Sequence, residues 1–194
     1  MKAGGFILRY GVLCILFVFA LMNPGAIIAQ TLQKGGQLPS IVLPIPKSAE
    51  EKAYLGLSGS GTFKIPQIRS DVVIIEIFSM YCPHCQKDAP GINELYNLIQ
   101  KNPDLRDKIK IIGIGAGNSA FEIETFKKTF SVSFPLFPDP DYVIHQACGE
   151  VRTPYFIGVK IQKDKSHQIF LSQQGGFPGA PSFFEQILKE SGLK

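Results

Sequence analysis

Seven consecutive residues, Val72-Val73-Ile74-Ile75-Glu76-Ile77-Phe78, carry one polar side chain among six that are β-branched or aromatic. A run this short and this apolar predicts a strand covered on both faces. Ile109 to Ile114 repeats the pattern and predicts a second buried strand. Between them Ile92, Leu95, Tyr96 and Ile99 recur at helical spacing until Asn102-Pro103 stops them, and Pro90 predicts a kink near the start of that helix. Further on, Ser119 can cap a helix reaching about Phe130, with Phe121, Ile123, Phe126 and Phe130 as its apolar set. Pro135 to Phe137 is a short apolar piece, and Asp141 to Cys148 predicts a short helix ended by Gly149. Tyr155 to Ile161 and His167 to Ser172, joined by Lys163-Asp164-Lys165-Ser166, predict a β-hairpin. A glycine- and proline-rich loop then leads to an amphipathic helix over Phe183 to Glu190.

The stretch before the first buried strand reads differently. Residues 30–47 hold Gly35-Gly36, Pro39, Pro44 and Pro46 around Ile41-Val42-Leu43, which predicts an extended segment with a short edge strand at best. Ser48 and Glu51 stand at capping-box spacing for a short helix over Ala49 to Leu55. Gly56 to Gly61 is a turn, and Phe63 to Ile68 predicts a short strand interrupted by Pro66. There is no internal repeat and no linker long enough to divide domains. Strands alternating with helices and then a hairpin define an α/β class with a central mixed β-sheet flanked by helices.

Composition narrows the class. A chain of 194 residues with 45% hydrophobic and 19% charged residues is globular and long enough for one sizeable core. Its net charge is +4, of which Lys2 and Arg9 supply two, leaving 4 − 2 = +2 for the remainder. No basic run with interleaved aromatics is present, so nucleic acid is not an expected partner. Lys2 and Arg9 precede an apolar run from Gly11 to Met22, broken by Asn23-Pro24-Gly25, with Ala29 at a possible cleavage site. A run of about twelve residues spans about 18 Å as a helix, short of the roughly 30 Å hydrocarbon core. Residues 1–29 therefore read as a signal peptide, with an N-terminal membrane anchor as the alternative. Both predict an extracytoplasmic domain, in the periplasm if the cell is Gram-negative. Cys14 lies inside this run and carries no expected chemistry.

Three cysteines remain, Cys82, Cys85 and Cys148. The first two form a Cys-Pro-His-Cys box between the first buried strand and a helix. A thiol at a helix N-terminus meets unpaired N–H groups and the positive end of the helix dipole, both of which favour the thiolate. A thiolate two residues from a second cysteine can attack a disulfide, be trapped as a mixed disulfide and be resolved by its neighbour. His84 can add a hydrogen bond or a charge to the thiolate. A permanent structural disulfide is the plainer alternative, but so small a loop restricts the unfolded chain little. Cys148 reads as a small buried hydrophobe. His145 and His167 read as surface or satisfied side chains, and Gly113, Gly115 and Gly117 as close packing at a strand end. No metal site is expected.

The box, with three features elsewhere, resembles the thioredoxin fold and, within it, the exported TlpA/ResA-like redoxins, over roughly Phe63 to the C-terminus. The other features are Ala89-Pro90 in the helix after the box, Thr153-Pro154 at the opening of the hairpin, and Glu76 six residues before Cys82. The box itself is the one found in the disulfide oxidase DsbA. The resemblance implies a thioredoxin-like domain over residues 63–194, with residues 30–62 as an N-terminal extension packing on it. It implies Cys82 as nucleophile and Cys85 as resolving thiol, together a redox-active disulfide, tuned by His84 and by Glu76, which would exchange a proton with Cys85. Tyr81, Pro83, Thr153 and Pro154 would flank the substrate, Pro154 in the cis form. The resemblance further implies protein thiols or disulfides as substrates, a membrane or exported redox partner, and no cofactor. Two other activities occur on this scaffold. Ser79, three residues before Cys82, echoes a thiol peroxidase (AhpC/TSA-like) pattern that also needs a proline where Ile75 stands, and a copper-handling module would use the two cysteines with a histidine.

Overall fold

A computed structural model of the chain describes residues 32–193. The expected leader, with Cys14, lies outside these residues. Among the described residues no helix is long and apolar enough to cross a membrane. In chain order the elements are β1 (Val42–Pro44), α1 (Ala49–Leu55), β2 (Thr62–Lys64), a 3₁₀ turn (Ile65–Gln67), β3 (Val72–Phe78), α2 (Pro83–Lys101), β4 (Ile109–Ala116), α3 (Ala120–Thr129), β5 (Leu136–Asp139), α4 (Val143–Ala147), β6 (Tyr155–Ile161), β7 (His167–Gln174) and α5 (Ala180–Ser191).

Five strands make one mixed sheet in the order β5-β4-β3-β6-β7. The central strand β3 is parallel to β4 and antiparallel to β6, with Glu76 opposite Gly113 on one side and Phe156 on the other. Every residue of β3 and of β4 is buried, which is why neither strand shows a polar alternation. Alternation still sorts the side chains by face. Ile74 and Phe78 join α2 and α5 residues such as Ile92, Leu95, Phe183 and Ile187 in one core cluster. Val73, Ile75 and Ile77 join a second cluster with Leu43, Leu55, Phe63 and Ile65. Glu76, in step with Ile74 and Phe78, therefore points to the α2 side of the sheet.

The second cluster shows what the N-terminal extension does. It supplies the cover for the sheet face that α2 and α5 leave open. Strand β1 pairs with β2, and residues 35 and 36 are fixed to β7 by two backbone hydrogen bonds with Ile169, of 2.8 and 2.9 Å. The expected strand over Phe63 to Ile68 is divided, because Pro66 cannot donate to a ladder; β2 ends at Lys64 and the chain turns in a 3₁₀ helix. Helix α2 continues through Pro90 as one element, and the missing N–H leaves the Gln86 carbonyl without its intrahelical donor. Helix α5 begins three residues earlier than the apolar pattern suggests, since Pro181 is well suited to the first turn of a helix and Ala180 is buried with Phe183 and Ile187. Ser119 caps α3 as expected, in a reciprocal capping box with Glu122.

Candidate active site

The loop between β3 and α2 sets the position of the box. Cys82 is the N-cap of α2, with extended backbone, and Pro83 fills the first helical position, where its fixed φ and absent N–H cost nothing. The Cys85 backbone N–H donates to Cys82 Sγ at 3.4 Å. Cys82 is half-buried, whereas Cys85, one turn in, is fully buried. From the far side of the site the Thr153 carbonyl accepts the Cys82 thiol at 3.4 Å, and the Thr153–Pro154 peptide is cis.

These contacts divide the two thiols. Partial burial pushes the Cys82 thiol up, but hydrogen bonds from the Cys85 thiol, from the Thr153 side chain and from the backbone N–H groups of Cys85 and His84 outweigh it, and the net shift is down. Cys85 moves strongly the other way, chiefly through burial and then through its bond to Cys82. The outer sulfur is thus the more readily ionised of the two, and it is the one with access to solvent.

Glu76 lies beneath. It is fully enclosed, Oε1 has no hydrogen-bond partner among the described residues, and burial, with the charges of Asp88 and Cys82, pushes its carboxyl up to about 8. The Ile111–Gly115 strand segment beside it carries no lysine that could hold it ionised. Asp88 is a member of this group that the sequence reading passed over. Burial raises its carboxyl, against the charges of Lys87 and His84. Its signal is the spacing: three residues after Cys85 on α2, it shares the face of the resolving thiol.

A second missed residue holds the loop itself. Asn118, fully buried after β4, accepts the Met80 N–H on Oδ1 at 2.8 Å, and its amide lies 3.5 Å from the Ser79 hydroxyl. Gln86 closes the other side by donating to the Met80 carbonyl at 2.6 Å. Gly117 makes room for this turn: its φ is +66°, and a Cβ there would run into the Tyr142 ring. The glycines of this strand end are thus packing residues.

Of the remaining expected site residues, Tyr81 is exposed beside Cys82, and its hydroxyl donates to Glu122, which keeps it close to the site. His84 reaches Cys82 through its backbone N–H; its ring lines a groove of about 480 Å³ with Lys87, Asp88, Arg152, Thr153, Pro154 and Phe177. A larger hollow of about 820 Å³, between Tyr54, Tyr96 and the Glu51–Lys127 ion pair, contains none of these residues. Cys148 is buried on the opposite face of the sheet, with a thiol pushed up to about 12 by burial and then by Asp139. His145 is bonded to the Val151 carbonyl at 2.8 Å. Among the described residues no three His, Cys, Asp or Glu side chains are grouped so as to hold a metal ion.

A cysteine pair at the start of the helix that follows the central strand, faced by a cis-proline loop, sits on a thioredoxin-like fold. The chain belongs to the AhpC/TSA family, which it matches over residues 37–175. It is 24% identical over 86 residues to the thiol-disulfide oxidoreductase ResA of Geobacillus thermodenitrificans, a stretch covering 44% of this chain and 47% of that protein. The chain thus spans about half the length of that curated relative. Among solved structures, a DsbE-type thiol:disulfide interchange protein of Chlorobium tepidum superposes with a TM-score of 0.61, over 83% of this chain and 99% of that one, at 16% identity. StoA from Bacillus subtilis superposes with a TM-score of 0.54 over 77% and 98%, at 18% identity.

Proposed function

We propose that this protein is an extracytoplasmic thiol–disulfide oxidoreductase that exchanges disulfides with protein thiols through Cys82 and Cys85. The observation that carries the reading is the split between the two thiols, an accessible Cys82 stabilised as thiolate beside a buried Cys85 that keeps its proton. The chain's similarity to proteins named thiol-disulfide oxidoreductase ResA supports it.

In the reducing direction the Cys82 thiolate attacks one sulfur of a client disulfide, forming a Cys82–client bond and expelling the other client sulfur as thiolate. Cys85 then loses its proton and attacks Cys82, which releases the second client thiolate and leaves a Cys82–Cys85 disulfide. Two electrons pass from the protein to the client. Glu76, whose carboxyl titrates at about 8, can accept the Cys85 proton when it is ionised and return it in the reverse direction when it is protonated. The reverse sequence oxidises a client dithiol. Direction in the cell follows from the potential of the pair against that of its partner, which we place at the membrane or among exported proteins.

The location rests on the leader pattern of Lys2, Arg9 and the apolar run Gly11 to Met22. A thiol peroxidase is the rival within the AhpC/TSA family. Against it, the Ser79 hydroxyl is turned to Asn118 and the Tyr81 N–H, not to Cys82, and Ile75 occupies the middle of β3. The test is turnover: reduction of an insulin disulfide or oxidation of a reduced model protein, measured beside peroxide consumption with a thiol donor. Cys82→Ser is expected to abolish exchange. Full exchange in that variant, or peroxide turnover in its place, overturns the assignment.

A further inference from the structure

Among the described residues, four of the five strongly exposed large apolar side chains lie at one end of the sheet. Tyr81 (66% exposed) follows β3, Phe121 (79%) stands in the first turn after β4, and Tyr142 (48%) and Val143 (65%) open the helix after β5. These strands are parallel and adjacent, so their C-terminal ends share an edge and the four side chains form a rim over the β3–β4–β5 half of the sheet. Of the carboxylates near this rim, Glu122 is taken up by the Ser119 N–H, the Ser119 hydroxyl and the Tyr81 hydroxyl, and Asp139 by the Ile144 and His145 N–H groups, while Asp141, just before Tyr142, is exposed.

Across Cys82 the character changes. The groove over the β6–β7 half is lined by Lys87 and His84 from the start of α2 and by Arg152 just before the Thr153 carbonyl that meets Cys82 Sγ. Lys87 and Arg152 are exposed, and neither makes an ion pair within 4.0 Å among the described residues. Asp88, half-buried, is the only acid lining the groove. The two halves differ in chemistry, and the reactive sulfur lies on the line between them.

We propose that this surface is a bipartite docking site for a protein segment carrying an acidic residue on one side of its reactive cysteine and an apolar one on the other. The acidic residue would pair with Lys87 and Arg152, and the apolar one would cover the aromatic rim. The proposal rests on the disulfide-exchange reading and adds a substrate class to it. Unpaired cations in a concave wall raise the local concentration of an anionic partner and speed its encounter. Aromatic side chains supply contact area at low entropic cost. An anionic lipid surface offers the same two chemistries, but nothing in it would use a reactive thiol set between them.

The test uses full-length protein and three unstructured peptides, each with one cysteine as a mixed disulfide with a thionitrobenzoate-free leaving thiol, cysteamine. One has Glu beside the cysteine and Leu on the far side, the second has Lys in place of Glu, and the third has Ser in place of Leu. The neutral hydroxyethyl disulfide serves as a reference for thiol reactivity in every variant. At low salt the Glu peptide is expected to react about tenfold faster than the Lys peptide, with the ratio falling toward one in about 0.5 M salt. The ratio is expected to invert in K87E/R152E, and the Leu-over-Ser advantage, about threefold, to vanish in Phe121→Ser. A ratio indifferent to salt and to charge reversal overturns the proposal while leaving exchange intact. So does binding of the protein to anionic phosphatidylglycerol vesicles without peptide preference. Failure to react with the hydroxyethyl disulfide itself would take down the exchange reading, and the docking site with it.

Discussion

The Cys82 thiol meets the Thr153 carbonyl oxygen at 3.4 Å, across 71 positions of chain. Neither residue makes a site alone. Cys82 is brought by the end of the central strand, Thr153 by the start of the antiparallel neighbour β6, and the register that sets Ile77 opposite Tyr155 fixes how closely the two loops approach. Disulfide exchange needs both an accessible sulfur and a wall against which a second chain can lie. The pairing of β3 with β6 provides the two together.

That arrangement makes the three described cysteines chemically unequal, and alkylation can count them. In native protein with reduced thiols, iodoacetamide is expected to modify Cys82 rapidly, with a pH midpoint below the usual free-thiol value of about 8.5. Cys85 and Cys148, both buried with raised thiols, should react only after unfolding. Mass spectrometry of the peptides reads this directly. Comparable labelling of Cys82 and Cys85 in the folded state would refute the division of roles.

Glu76 carries a stability cost that depends on pH. Its carboxyl titrates near 4.5 in the unfolded chain and near 8 when folded, so between those values the native state holds a proton that the unfolded state has lost. Stability contributed by this group is therefore full below about pH 4.5, declines as pH rises, and levels off above about 8. Glu76→Gln removes the titration while keeping the shape. It is expected to raise stability by about 3 kcal/mol at pH 7 and to flatten the urea midpoint between pH 5 and 8. It should also slow resolution of the mixed disulfide if Glu76 takes the Cys85 proton. An unchanged pH profile in Glu76→Gln would mean that the group is ionised, or solvated, in the native state.

Much of this was legible in the sequence because the informative positions are apolar or geometrically special. Val72–Phe78 and Tyr155–Ile161 have in the structure the bounds that hydrophobicity gives them, since nearly every side chain in both is buried. Pro90 and Thr153-Pro154 announce a scaffold through backbone geometry that few other residues supply. The end of β4 was less visible, because the apolar run stops at Ile114 although Gly115 and Ala116 are buried ladder residues. Asp88 and Asn118 were missed for a shared reason. A charged residue on a helix and a polar residue in a loop look like solvated surface until the neighbouring elements are placed: the loops after β3 and β4 pack together over Asn118, and Asp88 is half-buried on the groove it shares with Thr153 and Pro154.

Asn118 makes a testable case of that burial. Its Oδ1 is the acceptor for the Met80 N–H, two residues before Cys82, and no solvent reaches it. Asn118→Ala leaves that N–H without a partner, which is expected to cost about 1–3 kcal/mol of stability. Because the same bond positions the loop, exchange with a small disulfide should fall as well, and the Cys82 alkylation midpoint should rise toward that of a free thiol. Asn118→Asp, which keeps the acceptor, should restore the midpoint in part. A stability loss with no change in Cys82 reactivity would make Asn118 a fold residue only.

His84 gives the last prediction, because sequence and structure assign it different atoms. The box suggests an imidazole that stabilises the thiolate, yet among the described residues the ring makes no hydrogen bond to Cys82, and the contribution of this residue comes from its backbone N–H. A backbone donor survives substitution. His84→Ala is therefore expected to change the equilibrium constant of the Cys82–Cys85 pair against glutathione by less than about threefold, on the order of 15 mV. Any residual effect should be through-space electrostatics, so it should shrink with added salt. Substituting Pro83 by Gly instead loosens the first turn that presents both N–H groups, and should move the potential further than His84→Ala does. A shift several times larger in His84→Ala than in Pro83→Gly would return the tuning role to the imidazole.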